Sequence, residues 1–165
     1  MQHEIVSAHN ISRMCAVCGT DNKFGLHARF FELDNGELLG VFDPADHHQG
    51  YPGRLHGGIA STILDETIGR ALNITDRDAW GVTAELTVRF RQPVPIDSEV
   101  RVVARITRDS RKLFEGSGEI LLADGSVAVE ATGKYIKMPI GSIVDGDFEA
   151  EWFEDERDRP TSVEL

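Results

Sequence analysis

The sequence predicts one α+β domain in which an antiparallel sheet wraps around a single long helix. One segment, residues 54–72, has apolar residues at helical spacing, whereas the segments around it alternate apolar and polar residues as strands do. A helix followed by consecutive strands suits a helix layer packed on an antiparallel sheet. With 165 residues, 41% of them hydrophobic, the chain is long enough for one core and short for two.

Residues 1–26 are a lead-in segment with little periodicity, and they contain both cysteines of the chain, Cys15 and Cys18. The Cys-x-x-Cys spacing is compatible with half a zinc site, a redox pair or two reduced thiols that pack a turn. A zinc site would need His9, His27 or a second subunit to complete it. A redox motif would need a strand before it and a helix after it, and the sequence indicates neither. We therefore expect packed, reduced thiols and no metal.

Two short strands, at residues 27–33 and 37–42, flank an Asp-Asn-Gly turn and predict a β-hairpin. Residues 43–54 form a loop, because their prolines and glycines interrupt any regular pattern. A polar cluster stands in this loop before the helix: His47, His48, Gln49 and Tyr51.

The helix at residues 54–72 has two distinct faces. The broad apolar face carries mainly large side chains: Ile59, Ala60, Ile63, Leu64, Ile68 and Leu72. The second row is small except for one acid: Gly58, Ser61, Thr62, Asp65 and Gly69. Nearly two turns separate Gly58 from Asp65, so the acid lies on the face onto which the Gly57-Gly58 entrance opens.

This arrangement offers specific chemistry. The N-terminus of a helix presents unpaired N–H groups and the positive end of the helix dipole, and glycines there allow a carbonyl to approach closely. A carboxylate further along the same face is suited to act as a general base or a nucleophile. Spacing alone fits equally well a tight entry turn followed by a solvated acid.

Four further strands follow the helix, and we expect them to form a meander: residues 81–91, 100–107, 113–122 and 127–138. The tail at residues 141–165 carries −7 of the net charge of −11. We expect a mobile or loosely docked extension there, which aromatic residues would be able to dock: Phe148, Trp152 and Phe153. The chain thus divides into the lead-in, a folded domain at residues 27–140 and an acidic tail.

The composition also excludes some classes of protein. An acidic chain without a basic face argues against nucleic-acid binding. No apolar run is long enough to cross a membrane, and the N-terminus lacks a basic region followed by an apolar one. We therefore expect no membrane partner and a cytoplasmic location.

The stretch His56-Gly57-Gly58, followed after six residues by Asp65, resembles the signature of PaaI-like acyl-CoA thioesterases, which have the hotdog fold. The resemblance covers roughly residues 15–138. The Cys-x-x-Cys-Gly sequence of the lead-in is similar to that of one branch of these enzymes. The resemblance implies an antiparallel sheet wrapped around one long central helix, and hydrolysis of an acyl-CoA thioester.

The resemblance also implies roles for individual residues. The substrate carbonyl would accept hydrogen bonds from the N–H groups of Gly57 and Gly58, and Asp65 would activate a water or attack the carbonyl. His56 would hold the helix entry by hydrogen bonding. Thr83 matches a position whose hydroxyl orients the attacking water, although an ordinary strand role for this threonine also stays open.

The loop before the helix departs from the family pattern. The family places an amide side chain, usually Asn, six residues before the motif histidine, but Gly50 occupies that position here. Gln49 and His48 are the candidates to replace it in binding the substrate.

Glu66 is a further candidate for substrate binding because it adjoins Asp65. It also has Arg70 four residues further on, which is the spacing of a surface ion pair. We expect that pair to form.

One helix covers only one face of a sheet, and edge strands need protection, so we expect a homodimer or a dimer of dimers. The resemblance implies an active site at the subunit interface and no metal or redox cofactor. Two other functions fit the sequence in part. One is a hotdog-fold enoyl hydratase or dehydratase that uses His47 or His48, and the other is a non-catalytic acyl-CoA-binding module.

Overall fold

The protein, described here over residues 1–165 by a computed structural model, is organised around an eight-stranded antiparallel sheet and one long helix. The strands are β1 (Gln2–Ala8), β2 (Ile11–Ser12), β3 (Arg29–Leu33), β4 (Leu38–Phe42), β5 (Trp80–Phe90), β6 (Val100–Asp109), β7 (Leu113–Leu121), β8 (Val127–Met138), β9 (Trp152–Phe153) and β10 (Ser162–Glu164). The helices are α1 (Gly57–Ala71) and α2 (Phe148–Glu151), with short 3-10 turns at Asp46–His48, Leu72–Ile74 and Ile140–Ser142.

The predicted architecture of a sheet wrapped around one helix is confirmed. The main sheet has the order β10-β1-β3-β4-β6-β7-β8-β5, and α1 packs against its five strands from β4 to β5. The apolar face of α1 forms the centre of the core, where Ile63, Leu64 and Ile68 are fully buried. No helix of the chain is both long and apolar enough to cross a membrane.

Close approach between sheet and helix depends on two glycines of β7. A Cβ atom at Gly116 would lie 2.6 Å from a methyl carbon of Ile68, and one at Gly118 would lie 3.1 Å from another carbon of the same side chain. Side chains larger than hydrogen would therefore push α1 away from the sheet. These glycines allow the sheet to curve tightly around the helix.

The order of the four strands after the helix differs from the predicted meander. Only β6, β7 and β8 are consecutive neighbours, whereas β5 pairs with β8 at the far end of the sheet and β6 pairs with β4. Alternation of apolar residues assigns strand faces but carries no information about which strands are neighbours. The prediction of a four-strand meander was therefore wrong.

Both terminal segments contribute strands that the sequence did not predict. β1 lies between β10 and β3, and the short β2 pairs with β9 in a separate two-stranded sheet. The acidic tail is therefore docked rather than loosely attached. Its aromatic side chains take part, since the ring of Trp152 lies 5.3 Å from that of Trp80. An ion pair of 3.1 Å between Arg29 and Asp155 also connects the tail to β3.

Candidate active site

The entrance of α1 is organised by His56, which is the N-cap residue. Its Nδ1 atom accepts a hydrogen bond of 2.9 Å from the N–H of Gly58. A Cβ atom at Gly57 would lie 3.3 Å from the ring of Phe90, and one at Gly58 would lie 3.1 Å from Nδ1 of His56. The N–H of Gly58 is thus already used by the cap. The N–H of Gly57, at the first helical position, has no preceding helical carbonyl to bond and faces outward from the helix end.

Asp65 lies two turns into α1 and is held by two hydroxyl groups. The hydroxyl of Thr83 on β5 contacts both carboxylate oxygens, at 2.9 and 3.1 Å. The hydroxyl of Tyr135 on β8 lies 3.0 Å from Oδ1 and 3.0 Å from the backbone carbonyl oxygen of Asp65. Burial raises the pKa of Asp65, the two hydroxyl hydrogen bonds oppose this rise, and the nearby charge of Glu66 adds to it.

Tyr135 is a site residue that the sequence reasoning missed. Its side chain is fully buried, stacks on Phe114 with ring centres 4.8 Å apart, and reaches Asp65 from the strand next to β5. Thr83 and Tyr135 are direct partners in the pairing of β5 with β8, so one register places both hydroxyls at the same carboxylate. Burial and the charge of Asp65 raise the pKa of the phenol, which keeps it a donor. The signal in the sequence that indicates Tyr135 is one large side chain with a hydroxyl among the small inward-facing residues of β8.

Glu66 forms the predicted ion pair with Arg70, at 2.7 Å, but the pair is not on the surface. The guanidinium of Arg70 is buried, donates to the carbonyl of Asn10 at 2.6 Å and to the Cys18 sulfur at 3.1 Å, and lies over the ring of Phe30. The cysteine turn and β3 cover this side of α1, which the helical spacing alone did not reveal. The expected pair therefore forms, but it lies in a covered position.

The loop residues predicted to bind the substrate are engaged elsewhere. His48 is buried; its Nδ1 accepts from the N–H of Ala45 at 3.0 Å and its Nε2 lies 3.4 Å from the carbonyl oxygen of Phe24. Burial lowers the pKa of His48, so the ring is neutral and Nε2 is the donor in that contact. The Oε1 atom of Gln49 accepts from the N–H of Gly53 at 3.1 Å.

Within one chain the predicted residues line three separate cavities. Asp65, Glu66 and Thr83 share a cleft of about 210 Å³ with Tyr135. Gly57 lines a different cleft of about 340 Å³, and His48 a cavity of about 770 Å³. The structure therefore brings Asp65, Thr83 and Glu66 together but leaves the helix entrance and the loop apart from them.

The two cysteines lie next to Glu66, which lines the cleft of Asp65. Ligand-type atoms of Cys15, Cys18 and Glu66 all lie within 4.8 Å of one another. The histidines considered as possible partners are bonded elsewhere: His9 to Glu32 at 2.9 Å and His27 to the carbonyl of Asn22 at 2.7 Å.

Comparison of the sequence with known proteins finds similarity to thioesterases. The model of the Thioesterase superfamily matches residues 52–129. The chain is 29% identical over 113 residues to mouse acyl-coenzyme A thioesterase THEM4, covering 68% of this chain and 48% of that protein. It is 31% identical over 75 residues to mouse acyl-coenzyme A thioesterase 13, covering 46% of this chain and 54% of that protein. The chain thus spans about half the length of these curated relatives.

Solved structures give the same result at the level of fold. A crystal structure of a thioesterase superfamily protein superposes with a TM-score of 0.69 at 27% identity, covering 76% of this chain and 61% of that one. The E. coli PaaI protein, from the phenylacetic acid degradation operon, superposes with a TM-score of 0.61 at 16% identity. That match covers 68% of this chain and 80% of PaaI.

Proposed function

We propose that this chain, which matches the Thioesterase superfamily over residues 52–129 and resembles its PaaI-like members, hydrolyses acyl-CoA thioesters with Asp65 as the catalytic carboxylate. The observation that carries the proposal is the set of contacts around Asp65. A half-buried carboxylate, held by Thr83 and Tyr135 in an open cleft, is a group prepared to act on a bound substrate.

Asp65 activates a water for attack on the thioester carbonyl, or attacks it directly to form a mixed anhydride. Burial supports either role, since the raised pKa of the carboxylate makes it a stronger base than a solvated aspartate. Thr83 contacts both oxygens of Asp65 and is placed to orient a water beside them. The thiolate of coenzyme A leaves as the carbonyl re-forms. If water is the attacking group, the free acid is released directly; if Asp65 attacks, a water then hydrolyses the mixed anhydride, which releases the acid and regenerates the carboxylate.

The N–H of Gly57 stabilises the negative charge that develops on the carbonyl oxygen. In the same helix Gly57 and Asp65 are eight residues apart, about 12 Å along the axis, so one carbonyl does not reach both. They also line different clefts. A complete site therefore takes Asp65 from one subunit and Gly57 from its partner.

The exposed face of β5 supports such a dimer. β5 ends the sheet with an unpaired edge, and every one of its residues is exposed or only partly buried, including Val82 and Phe90. An exposed apolar edge strand of this length is a template for pairing with a second chain. We propose that two copies associate here and place two antiparallel α1 helices side by side, with an acyl-CoA bound between them.

His48 and Gln49 contribute to substrate binding indirectly, because they hold the helix entrance in place. The carbonyl of His48 accepts from the N–H of His56 at 3.0 Å, and Gln49 forms a β-bridge with Leu55. These contacts fix the N-cap that orients Gly57. Glu66 borders the cleft of Asp65 and extends its acidic rim.

Two expectations from the sequence stay predictions. One is the cytoplasmic location, and the other is the division of the chain into a lead-in, a domain at residues 27–140 and a tail.

The test is a panel of acyl-CoAs assayed for free thiol release by the wild type and by Asp65→Asn. We expect Asp65→Asn to lose about 10²- to 10⁴-fold in kcat/KM, the usual contribution of a positioned acid or base. Asp78→Asn is the matched control, because it removes an exposed carboxylate outside the cleft.

Three results would contradict the proposal. Equal thiol release by Asp65→Asn and the wild type would remove Asp65 from the chemistry. Hydration of an enoyl-CoA without thiol release would indicate the hydratase. Saturable acyl-CoA binding without turnover of any thioester would indicate a binding module.

A further inference from the structure

Cys15 and Cys18, which the proposed hydrolysis does not use, form a cluster with Glu66 at the border of the Asp65 cleft. They come from a turn after β2 and from the middle of α1, and the fold brings their two sulfurs and a carboxylate oxygen within 4.8 Å of one another. Cys18 is fully buried, and Cys15 and Glu66 are half-buried. Two thiol groups and a carboxylate this close together are potential ligands of one metal ion.

Backbone N–H groups donate hydrogen bonds to both sulfur atoms of the cysteine turn. The N–H of Val17 donates to the sulfur of Cys15, and the N–H of Ser12 donates to that of Cys18, both at 3.3 Å. The turn closes by a bond of 3.0 Å from the N–H of Gly19 to the carbonyl of Cys15, and a Cβ at Gly19 would lie 2.6 Å from that oxygen. The geometry of the two sulfurs is therefore fixed by backbone contacts.

Arg70 orients both kinds of ligand. Its Nε donates to Oε1 of Glu66 at 2.7 Å, and another guanidinium nitrogen donates to the sulfur of Cys18 at 3.1 Å. The second carboxylate oxygen of Glu66 has no hydrogen bond from the chain, so it is free to bind a ligand. Partners that orient ligating groups in this way are the usual second layer of a metal site.

We propose that Cys15, Cys18 and Glu66 bind one divalent cation of the zinc class, with a water from the adjoining cleft as fourth ligand. Two thiolates select a borderline-soft ion over Mg²⁺ or Ca²⁺. Entry is open because Glu66 and Arg70 line the cleft that contains Asp65. Tetrahedral zinc accepts sulfur and carboxylate ligands together, as in sites with three protein ligands and a water.

The electrostatic balance of the cluster supports a divalent ion. Two thiolates and one carboxylate carry three negative charges, Arg70 carries one positive charge, and a divalent cation neutralises the remainder. Binding of the ion displaces the protons that the two sulfurs still carry, because metal ligands must be deprotonated. Metal binding alone tests this proposal, without any assay of thioester hydrolysis.

The test is anaerobic titration of the reduced full-length protein with Co²⁺, followed by displacement with Zn²⁺. We expect one equivalent to bind per chain, with a sulfur-to-cobalt charge-transfer band and the visible spectrum of a tetrahedral site. Cys15→Ser and Cys18→Ser should each bind zinc more than about 100-fold more weakly. Glu66→Gln should keep the charge-transfer band and lose about 10- to 100-fold in affinity.

Thr20→Ala is the matched control, because Thr20 is exposed and lies in the same turn without contacting the cluster. Near-UV circular dichroism checks that each variant is folded, and the half-buried Cys15 carries the test if replacement of Cys18 prevents folding. Absence of a charge-transfer band in the reduced wild type would overturn the proposal. Retention of wild-type affinity by Cys15→Ser would do the same, and so would disulfide formation by a protein that binds no metal when reduced.

Discussion

At the scale of single residues, the proposed reaction depends on the ionisation of one carboxylate, Asp65. Burial raises the pKa of Asp65, and the hydroxyls of Thr83 and Tyr135 limit that rise. Because the folded pKa exceeds the unfolded value, protonation of Asp65 favours the folded state, and the ionised form costs some stability at neutral pH. Activity that requires the carboxylate is therefore present above the folded pKa and is lost as the pH falls through it.

Replacement of Tyr135 by Phe should shift the acidic limb of the pH–rate profile to higher pH. The substitution removes a hydrogen bond that favours the ionised carboxylate while keeping the ring that stacks on Phe114. The measurement is kcat/KM for thiol release against pH, with a chelator present so that no metal at Glu66 contributes.

Tyr51→Phe is the control for that profile, since Tyr51 is the only other tyrosine and is exposed in the loop before α1. Its acidic limb should coincide with that of the wild type. An unchanged limb in Tyr135→Phe would show that this hydroxyl does not govern the ionisation of Asp65.

Helical spacing singled out Asp65, and the family resemblance gave Asp65 and Thr83 their roles, but the sequence predicted neither the hydrogen bond between them nor Tyr135. The reason is physical, because a strand pattern gives the face of Tyr135 but not the register that places it opposite Thr83. In the same way, helical spacing predicted the bond between Glu66 and Arg70 but not its burial.

At the scale of elements, the first N–H of α1 is the proposed stabiliser of the developing oxyanion. Gly57→Pro removes this N–H, and the helix tolerates proline at its first position. His56 already has the extended conformation that a following proline requires, with φ of −65° and ψ of 136°. We expect a loss of about 10²- to 10³-fold in kcat, typical of deleting one oxyanion donor.

Gly57→Ala separates that loss from steric effects. Its Cβ meets the same ring of Phe90, at 3.3 Å, but its N–H is retained. Activity of Gly57→Ala should therefore stay well above that of Gly57→Pro. Equal losses in the two variants would assign the effect to crowding against Phe90 and would remove the N–H from the mechanism.

Elements whose apolar residues recur at a regular spacing were predictable from the sequence. Elements that form only by pairing with other strands were not. α1 and the strands β3 to β8 lie close to their predicted ranges, because their apolar residues recur at the period of each structure. β10 has only three residues, and β1 has seven but buries only one apolar side chain, Ile5, so neither strand has an independent signal. The position of β5 at the sheet edge likewise depends on the long connection to β6.

At the scale of the whole molecule, the proposed site is shared between two copies of the chain. The cleft of Asp65 would take its backbone donor from Gly57 of the second copy, because Gly57 lines a separate cleft whose lining includes no carboxylate. In the proposed dimer, the unpaired edge of β5 is the surface on which a second copy would complete both clefts. Two-fold symmetry would then give two equivalent sites per dimer, each using residues of both chains.

Complementation between two inactive variants tests this central claim most directly. Asp65→Asn and Gly57→Pro, each nearly inactive alone, are co-expressed with different tags and the mixed dimer is isolated. If each site takes Asp65 from one chain and Gly57 from the other, a mixed dimer has one intact site and regains about half the wild-type thiol release. Mixed dimers, verified by native mass spectrometry, that are as inactive as their parents would contradict the shared site.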